Sequence, residues 1–475
     1  MYIQKRFLIA FAALWSGFPT HLHGDAPVRR PNVLMIAVDD LNHWVGYLGR
    51  NRQAITPNID RLAASGTSFT RSYCAAPVCN SSRTALMSGL RPDVSGIYGN
   101  NDDWRRAIDA EIQLTTTFRN AGYYVAGAGK IYHEAYKRPS EWDDYLRNSG
   151  QDPVPIGNQG VGGIRFAAVD ADDEDLREWK IVQYGVDQLQ EKHDKPFFLA
   201  IGLHKPHMPW FVPRKYFDLH PLDEIELPPT VADDLADLPP SGVKMAKPEG
   251  DHRAMLESGR WKEAIQAYLA SASYADAMIG RLLDALEKSP YRDNTIVVFW
   301  GDHGWHLGEK EHWRKFALWE EATRAPLIWR VPGLTKPGSV SERTVDFMSI
   351  YPTLTDLAGV ETPSHVQGQS IRTLLVDPKA EWSAPAVTTH EFGNHSVRSE
   401  GWRYIRYANG DEELYDETAD PYEWKNLAAE ATLASQKSSL AKHLPQTNAK
   451  DFSGGPDGVK PNRARDTRQR KQQRR

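Results

Sequence analysis

Asn32-Val33-Leu34-Met35-Ile36-Ala37-Val38-Asp39-Asp40 is the stretch on which the fold turns: six apolar residues run without interruption and stop at two adjacent carboxylates. A strand with one wet face alternates polar and apolar residues, whereas an unbroken run suits a strand covered on both faces, as in parallel sheets. Two later stretches repeat the pattern. Pro196 to Gly202 runs into Leu203-His204-Lys205, and Thr295 to Trp300 runs into Gly301-Asp302-His303-Gly304. Three buried strands are therefore expected, each with an apolar body and a polar carboxyl end.

Helical periodicity fills the intervals. From Trp261 to Glu287 the residues Tyr268, Ala272, Ala275, Ile279, Leu282 and Leu286 recur every three or four positions, the spacing of one buried helix face. Strands alternating with helices predict an α/β protein whose large, mostly parallel central sheet is flanked by helices. In such sheets ligands collect beyond the carboxyl ends of the strands, where the polar clusters would stand. From Ala386 the texture changes to short candidate strands, Ala386 to His390, Trp402 to Tyr407 and Glu412 to Tyr415, which predict a smaller C-terminal domain with an antiparallel sheet. The expected division is 30–380 for the main domain, 381–447 for the smaller one and 448–475 for a disordered basic tail. No internal repeat is visible.

At 475 residues, 40% hydrophobic and 25% charged, the chain can bury a large core, which excludes disorder as its main state. Lys plus Arg number 57 against 62 Asp plus Glu, and there are two cysteines, so neither a nucleic-acid coat nor a disulfide-stapled scaffold fits. The formal charge of −5 hides an asymmetry: Arg463 to Arg475 carries +6, leaving −11 for everything before it. At the other end Lys5-Arg6 precedes the apolar run Phe7 to Trp15, with small residues near Gly24. That pattern reads as a signal peptide over 1–24 and predicts an exported protein, periplasmic or extracellular, or lysosomal in an animal cell. The run is too short for a spanning helix, which needs about 20 residues, and no later stretch approaches that length, so no transmembrane segment is expected.

Asp39 and Asp40 repel one another unless positive charge lies between them. A solvated turn would satisfy them. So would a metal ion, and Asp302-His303 at the end of another strand offers further ligands; oxygen-rich ligation favours a hard cation such as Ca²⁺ or Mg²⁺, with the His303 nitrogen unusual for calcium. The second constellation is Val78-Cys79-Asn80-Ser81-Ser82-Arg83-Thr84-Ala85-Leu86-Met87-Ser88-Gly89, where Cys precedes Arg by four and the run continues as a helix. A reactive group at a helix N-terminus meets free backbone N–H groups that stabilise anions. The alternative for Cys79 is a disulfide to Cys74, closing a small loop in an oxidising compartment.

This segment resembles the C-x-[P/A]-x-R signature of type I sulfatases, in which the Cys is oxidised to formylglycine. Thr56-Pro57-Asn58-Ile59-Asp60-Arg61-Leu62 and Gly129-Lys130-Ile131-Tyr132-His133 resemble further blocks of the same family. His204-Lys205-Pro206-His207-Met208-Pro209-Trp210 and Gly301 to Glu309, followed by Trp313-Arg314-Lys315, are most similar to the iduronate-2-sulfatase branch. The matches run from about Asn32 to Asn426. Ser81 departs from the pattern, standing where the family has Pro or Ala, a position read by the maturation machinery.

The resemblance implies an alkaline-phosphatase-like sandwich and a Ca²⁺ site built from Asp39, Asp40, Asp302 and His303, with formylglycine 79 facing the cation. It implies a formylglycine hydrate as nucleophile, Arg83 and Lys130 orienting it, and Lys315 gripping the sulfate. His204 would protonate the departing oxygen and His133 would take the proton from the remaining hydroxyl. His207, Trp104 and Arg105 are candidates for contact with a sulfated sugar or glycan, and a formylglycine-generating enzyme is the implied maturation partner. Two rivals stand beside this reading: a phosphatase or phosphonate monoester hydrolase of the same superfamily, and a sulfated-glycan-binding protein without catalysis if Cys79 stays a thiol.

Overall fold

The computed structural model describes residues 30–133, 136–157 and 159–452, so the expected signal peptide and most of the basic tail lie outside the described residues. Strands β1 (Asn32–Val38), β2 (Thr67–Tyr73), β3 (Tyr124–Gly129), β4 (Asp144–Tyr145), β5 (Phe197–Leu203), β6 (Thr295–Gly301), β7 (Leu327–Arg330) and β8 (Ser339–Asp346) form one sheet in the order β8-β2-β7-β6-β1-β5-β3-β4. Neighbouring strands are parallel except around β7, which runs antiparallel to both β2 and β6. The expected parallel sheet is therefore present with one reversed strand, whose short Leu327–Arg330 segment gave no distinctive signal.

β1 shows why its sequence is continuously apolar. Val33, Met35 and Ala37 enter one core and Leu34, Ile36 and Val38 enter the other, so each residue is buried on one face or the opposite one. Helices α1 (Pro57–Ser65), α3 (Arg177–Gln190) and α4 (Trp261–Lys288) cover the second face through residues such as Ile59, Ile181, Ile279 and Leu282. Helix α2 (Cys79–Ser88) lies on the first face, where Leu86 and Met87 pack with Ile350 and Leu354 of the helix Ile350–Ala358. Each such Leu or Ile contributes about 1.5–3 kcal/mol on burial, which holds the strands of the centre in one arrangement.

That arrangement sets the register at the functional edge. Val38 pairs with both Leu203 and Gly301. The next residue of each strand, Asp39, His204 and Asp302, thus leaves the sheet at the same level.

The C-terminal strands β9 (Ala386–Thr389), β10 (His395–Arg398), β11 (Trp402–Arg406) and β12 (Glu412–Asp416) form an antiparallel sheet in chain order, as the sequence predicts, with β10 as an additional strand. One face packs Ile405 and Tyr415 onto Leu318 and Trp319, and the other packs Val397, Tyr404 and Leu414 under Leu440. Ionic contacts add to the apolar ones. Arg398 Nε lies 3.2 Å from both Glu320 and Glu417, Arg403 Nε lies 2.5 Å from Glu423, and Arg403 also pairs with Glu320. Burial would raise the Glu320 carboxyl, yet Arg398, Arg403 and Arg324 hold it well below the usual range. Residues 449–452, assigned to the disordered tail on sequence, instead bond to the main body: Ala449 N–H donates to Asp93 O and Phe452 N–H to Gly96 O. No helix among the described residues is long and apolar enough to cross a membrane.

Arg403→Met should lower stability by about 3–5 kcal/mol, because it leaves buried glutamates without their shared partner. Urea unfolding of the purified protein measures this; an unchanged midpoint would show that the ion network does not hold the C-terminal sheet in place. Glu320 has a depressed folded pKa, so its contribution is present above the unfolded carboxyl pKa of about 4.3 and is lost as pH falls through the folded value.

Candidate active site

The polar ends of the strands are shaped by close backbone constraints. Asp40 follows β1 in the left-handed region, with φ of 58°, a conformation uncommon outside glycine. It is clamped from both sides: its N–H donates to Asp302 Oδ1 at 3.0 Å and its carbonyl accepts from the Tyr268 hydroxyl at 3.0 Å. Lys130 leaves β3 with its N–H donating to Gly202 O at 2.8 Å. A Cβ at Gly202 would stand 2.3 Å from the Lys130 carbonyl carbon, so only glycine lets the two chains approach this closely.

Helix α2 begins at Cys79 and is buried along its whole length despite carrying Asn80, Ser81, Ser82, Arg83 and Thr84. The polar side is consumed by the site. Ser82 Oγ donates to Asp302 O at 2.6 Å; one turn from Cys79, Arg83 sends Nε to Asp302 Oδ2 at 2.8 Å and Nη2 to Asp39 Oδ1 at 3.2 Å. Lys130 Nζ pairs with Asp39 Oδ2, and Lys315 Nζ lies 2.5 Å from Asp40 Oδ1. Cys79 Sγ stands 2.9 Å from Lys315 Nζ, 3.3 Å from His303 Nε2 and 3.8 Å from Asp40 Oδ1.

The titration of these groups follows from burial set against neighbours. Burial would raise Asp39, but Lys130, His207, Arg83 and Lys315 hold it well below the ordinary carboxylate range. Asp40 is pushed up to about 6 by burial, Lys315 opposing while Asp39 and Cys79 add to the rise. Burial and Asp39 would raise the Cys79 thiol, yet Lys130 and Lys315 bring it below its usual value. His303, disfavoured as a cation by burial, is nonetheless raised to about 9 by Asp302.

One donor atom from each of Asp39, Cys79, Asp302 and His303 falls within 4.8 Å of the others, and all four side chains are buried. Asp40 Oδ2 is also buried and has no hydrogen-bond partner among the described residues. A concentrated, oxygen-rich, anionic donor set of this kind fits a hard divalent cation.

A cleft of about 550 Å³ opens beside the cluster, lined by Lys130, His133, His204, Lys205 and His207 and, unanticipated from sequence, by Asp152 and Arg177. His133 is lowered to about 4 by burial and by the adjacent Lys130 charge. His207 Nε2 lies 3.8 Å from Asp40 and 4.0 Å from Asp39, at the exposed mouth. Asp39, Asp40, Cys79, Arg83, Lys130, Asp302, His303 and Lys315 thus form one contact network, with His133, His204 and His207 along the cleft.

Two expectations are corrected, and one alternative is set aside. Trp104 is fully buried and stacks on Tyr132 with ring centroids 4.6 Å apart, so it packs the core and cannot touch a sugar. Arg105 is turned to Asp103, with Nε 2.7 Å and Nη2 2.8 Å from its two carboxylate oxygens, and does not line the cleft. Cys74 and Cys79 are both free thiols, Cys74 facing the Ala322 carbonyl, so no disulfide closes that loop. Tyr268 and Glu178, which hold the backbone of Asp40 and His204, were missed because one reads as helix packing and the other as an ordinary first-turn acid.

Buried carboxylates, fixed cations and a thiol on the first residue of a helix, gathered at the carboxyl ends of a mostly parallel sheet, form an α/β site suited to anionic esters. The chain belongs to the sulfatase family: residues 31–360 match the sulfatase family and residues 308–450 match N-sulphoglucosamine sulphohydrolase, C-terminal. It is 40% identical over 448 residues to a sulfatase of Formosa agariphila, covering 89% of this chain and 88% of that protein. It is 30% identical over 383 residues to Homo sapiens iduronate 2-sulfatase, covering 70% of each. Its alkaline-phosphatase-like fold is shared with the phosphonate monoester hydrolase of Agrobacterium radiobacter, at TM-score 0.75 and 21% identity over 87% of this chain and 94% of that one. BT4656, solved with its substrate D-glucosamine-2-N,6-O-disulfate, gives TM-score 0.71 at 22% identity over 87% and 96%. The protein is a sulfuric ester hydrolase.

His133 should remain neutral down to about pH 4. Ring-nitrogen NMR of the labelled protein measures this directly, and a midpoint near the unperturbed value of about 6.5 would contradict the desolvation assigned here.

Proposed function

We propose that this sulfatase hydrolyses O-sulfate esters of a sulfated carbohydrate, with an iduronate-2-sulfatase-like site in which Cys79 acts after oxidation to formylglycine. The observation that carries the reading is the position of Cys79: first residue of α2, 2.9 Å from Lys315 and 3.3 Å from His303, beside the three carboxylates. The carbohydrate assignment is supported by the similarity to iduronate 2-sulfatase and by the cation-lined cleft.

Asp39, Asp40, Asp302 and His303 would hold a divalent cation, Ca²⁺ by expectation. Bound there, the cation supplies positive charge that polarises the sulfate oxygens, and formylglycine at position 79 supplies a nucleophilic hydroxyl. The chain's own side chains do the rest. Arg83 is fixed by Asp39 and Asp302 and so keeps its charge beneath residue 79, while Lys315 and Lys130 are set to meet charge that develops on the ester. His133, neutral at physiological pH, accepts a proton near Lys130, and His204 donates one to the departing sugar oxygen. His207 at the mouth faces the incoming substrate. Residues 30–380 carry this chemistry and 381–447 brace it. Export and a separate enzyme that oxidises Cys79 complete the reading; Ser81, buried in α2, is the residue that bears on that enzyme's recognition.

The test joins mass spectrometry of the peptide containing Cys79 with sulfate release from 4-nitrophenyl sulfate and from defined sulfated oligosaccharides. Aldehyde at position 79, with loss of turnover by at least about 10³-fold in Cys79→Ala, is the expected result for a covalent nucleophile. Full activity from protein bearing only thiol at that position would overturn it, and preference for aryl phosphate over aryl sulfate would favour the phosphatase alternative. Exhaustive chelation should inhibit and added Ca²⁺ should restore activity; indifference to chelation would remove the cation from the carboxylate cluster.

A further inference from the structure

Glu178, in the first turn of α3, has no role in the machinery above, and its placement is unusual for a helix-opening acid. Such residues ordinarily face water and complement the helix dipole. Glu178 is instead fully buried behind the cleft. Its Oε1 accepts the backbone N–H groups of His204 and Lys205, both at 3.2 Å, and lies 3.6 Å from His204 Nδ1. Its Oε2 is buried with no hydrogen-bond partner among the described residues. A carboxylate held this way loses hydration that its bonds only partly replace, so the position makes physical sense where the charge has a partner.

We propose that Glu178 is a positioning residue for His204, holding the Nδ1 side of the ring so that Nε2 is presented to the cleft and stabilising the ring while it carries two protons. The inference rests on the reading of His204 as the proton donor in sulfate ester cleavage. The 3.6 Å gap is longer than a hydrogen bond, as catalytic contacts often are before substrate binds. The other charges around Glu178 are mutually occupied. Lys205 Nζ lies 3.3 Å from Asp152 Oδ2 and 2.8 Å from Pro209 O, and Arg177 Nε lies 3.3 Å from the same Asp152 oxygen. Tyr274 of α4 is near enough that the Glu178 charge adds to the burial that raises its hydroxyl. Burial and Asp152 push Glu178 upward while Lys205, His204 and Arg177 pull it down, so a charge gained on His204 changes its balance. As the S–O bond breaks, the proton on Nε2 passes to the bridging oxygen, and the ring returns to the neutral form with Nδ1–H toward Glu178. This is the division of labour by which a buried carboxylate fixes a catalytic imidazole.

The experiment uses the matured full-length enzyme and a series of aryl sulfates from 4-nitrophenyl to phenyl to 4-methoxyphenyl sulfate, in which the leaving group becomes progressively poorer. Wild type, Glu178→Gln and His204→Ala are compared for kcat and KM. Glu178→Gln should reduce kcat by about 10–100-fold on the poorest leaving group and by less on 4-nitrophenyl sulfate, with KM little changed and the basic limb of the kcat profile at lower pH. His204→Ala should steepen the same dependence further. A steeper dependence in His204→Ala alone overturns the role of Glu178 and leaves the proton-donor reading intact. Steepening in neither variant removes His204 as donor and the inference with it. A uniform loss across the series in folded Glu178→Gln, with KM altered, marks a purely structural residue and also overturns the proposal. If Glu178→Gln does not fold, Glu178→Asp, which keeps the charge but shortens its reach, is judged by the same outcomes.

Discussion

Three carboxylates buried within contact of one another are the constraint around which the molecule is arranged. Asp39, Asp40 and Asp302 are wholly removed from water, and without nearby positive charge at least two of them would have to take up protons. Each is reached by a cation from a different part of the chain: Lys130 from the end of β3, Arg83 from α2 and Lys315 from a loop after β6. A fold that did not bring these segments to one edge of one sheet would leave the charges uncompensated. The central place of β1, between β5 and β6, is thus tied to electrostatics as well as to apolar packing.

The same logic explains what was readable in the amino-acid sequence. Runs such as Asn32–Val38 and Thr295–Gly301 announced themselves because a strand buried on both faces has no room for polar residues, and their abrupt polar ends marked where the buried surface stops. Cys79, Arg83, Lys130 and Lys315 were legible through family spacing, since each sits at a fixed distance from a strand end or along a helix turn. Antiparallel β7 was not, because four residues flanked by prolines and loops carry no periodicity that distinguishes direction. Trp104 misled for a related reason: a large aromatic beside an arginine reads the same whether it faces a sugar or Tyr132. Glu178 and Tyr268 act through backbone groups of distant residues, a contact that leaves no local pattern.

The C-terminal sheet shows a second use of buried charge. Arg398 and Arg403 reach from β10 and β11 into Glu320, which stands a few residues beyond Lys315, while Tyr73 at the end of β2 also donates to Glu320. Ion pairs that are individually modest become demanding in geometry when desolvated together, since any displacement strands a charge. The late part of the chain is therefore tied through Glu320 to the segment that follows Lys315 and to the end of β2.

Helix α2 admits one more deduction. Cys79 has no exposed surface, and the residues after it are sealed between the sheet and its covering helices. Another protein cannot grip a side chain it cannot reach. Any catalyst that rewrites this sulfur must meet the segment while it is still an open ribbon, before α2 has packed against the strand ends that carry Asp40 and His303. On the proposed reading, the timing of folding would decide which molecules mature: a chain that collapses early would be trapped, intact in shape, with an unaltered residue at its centre.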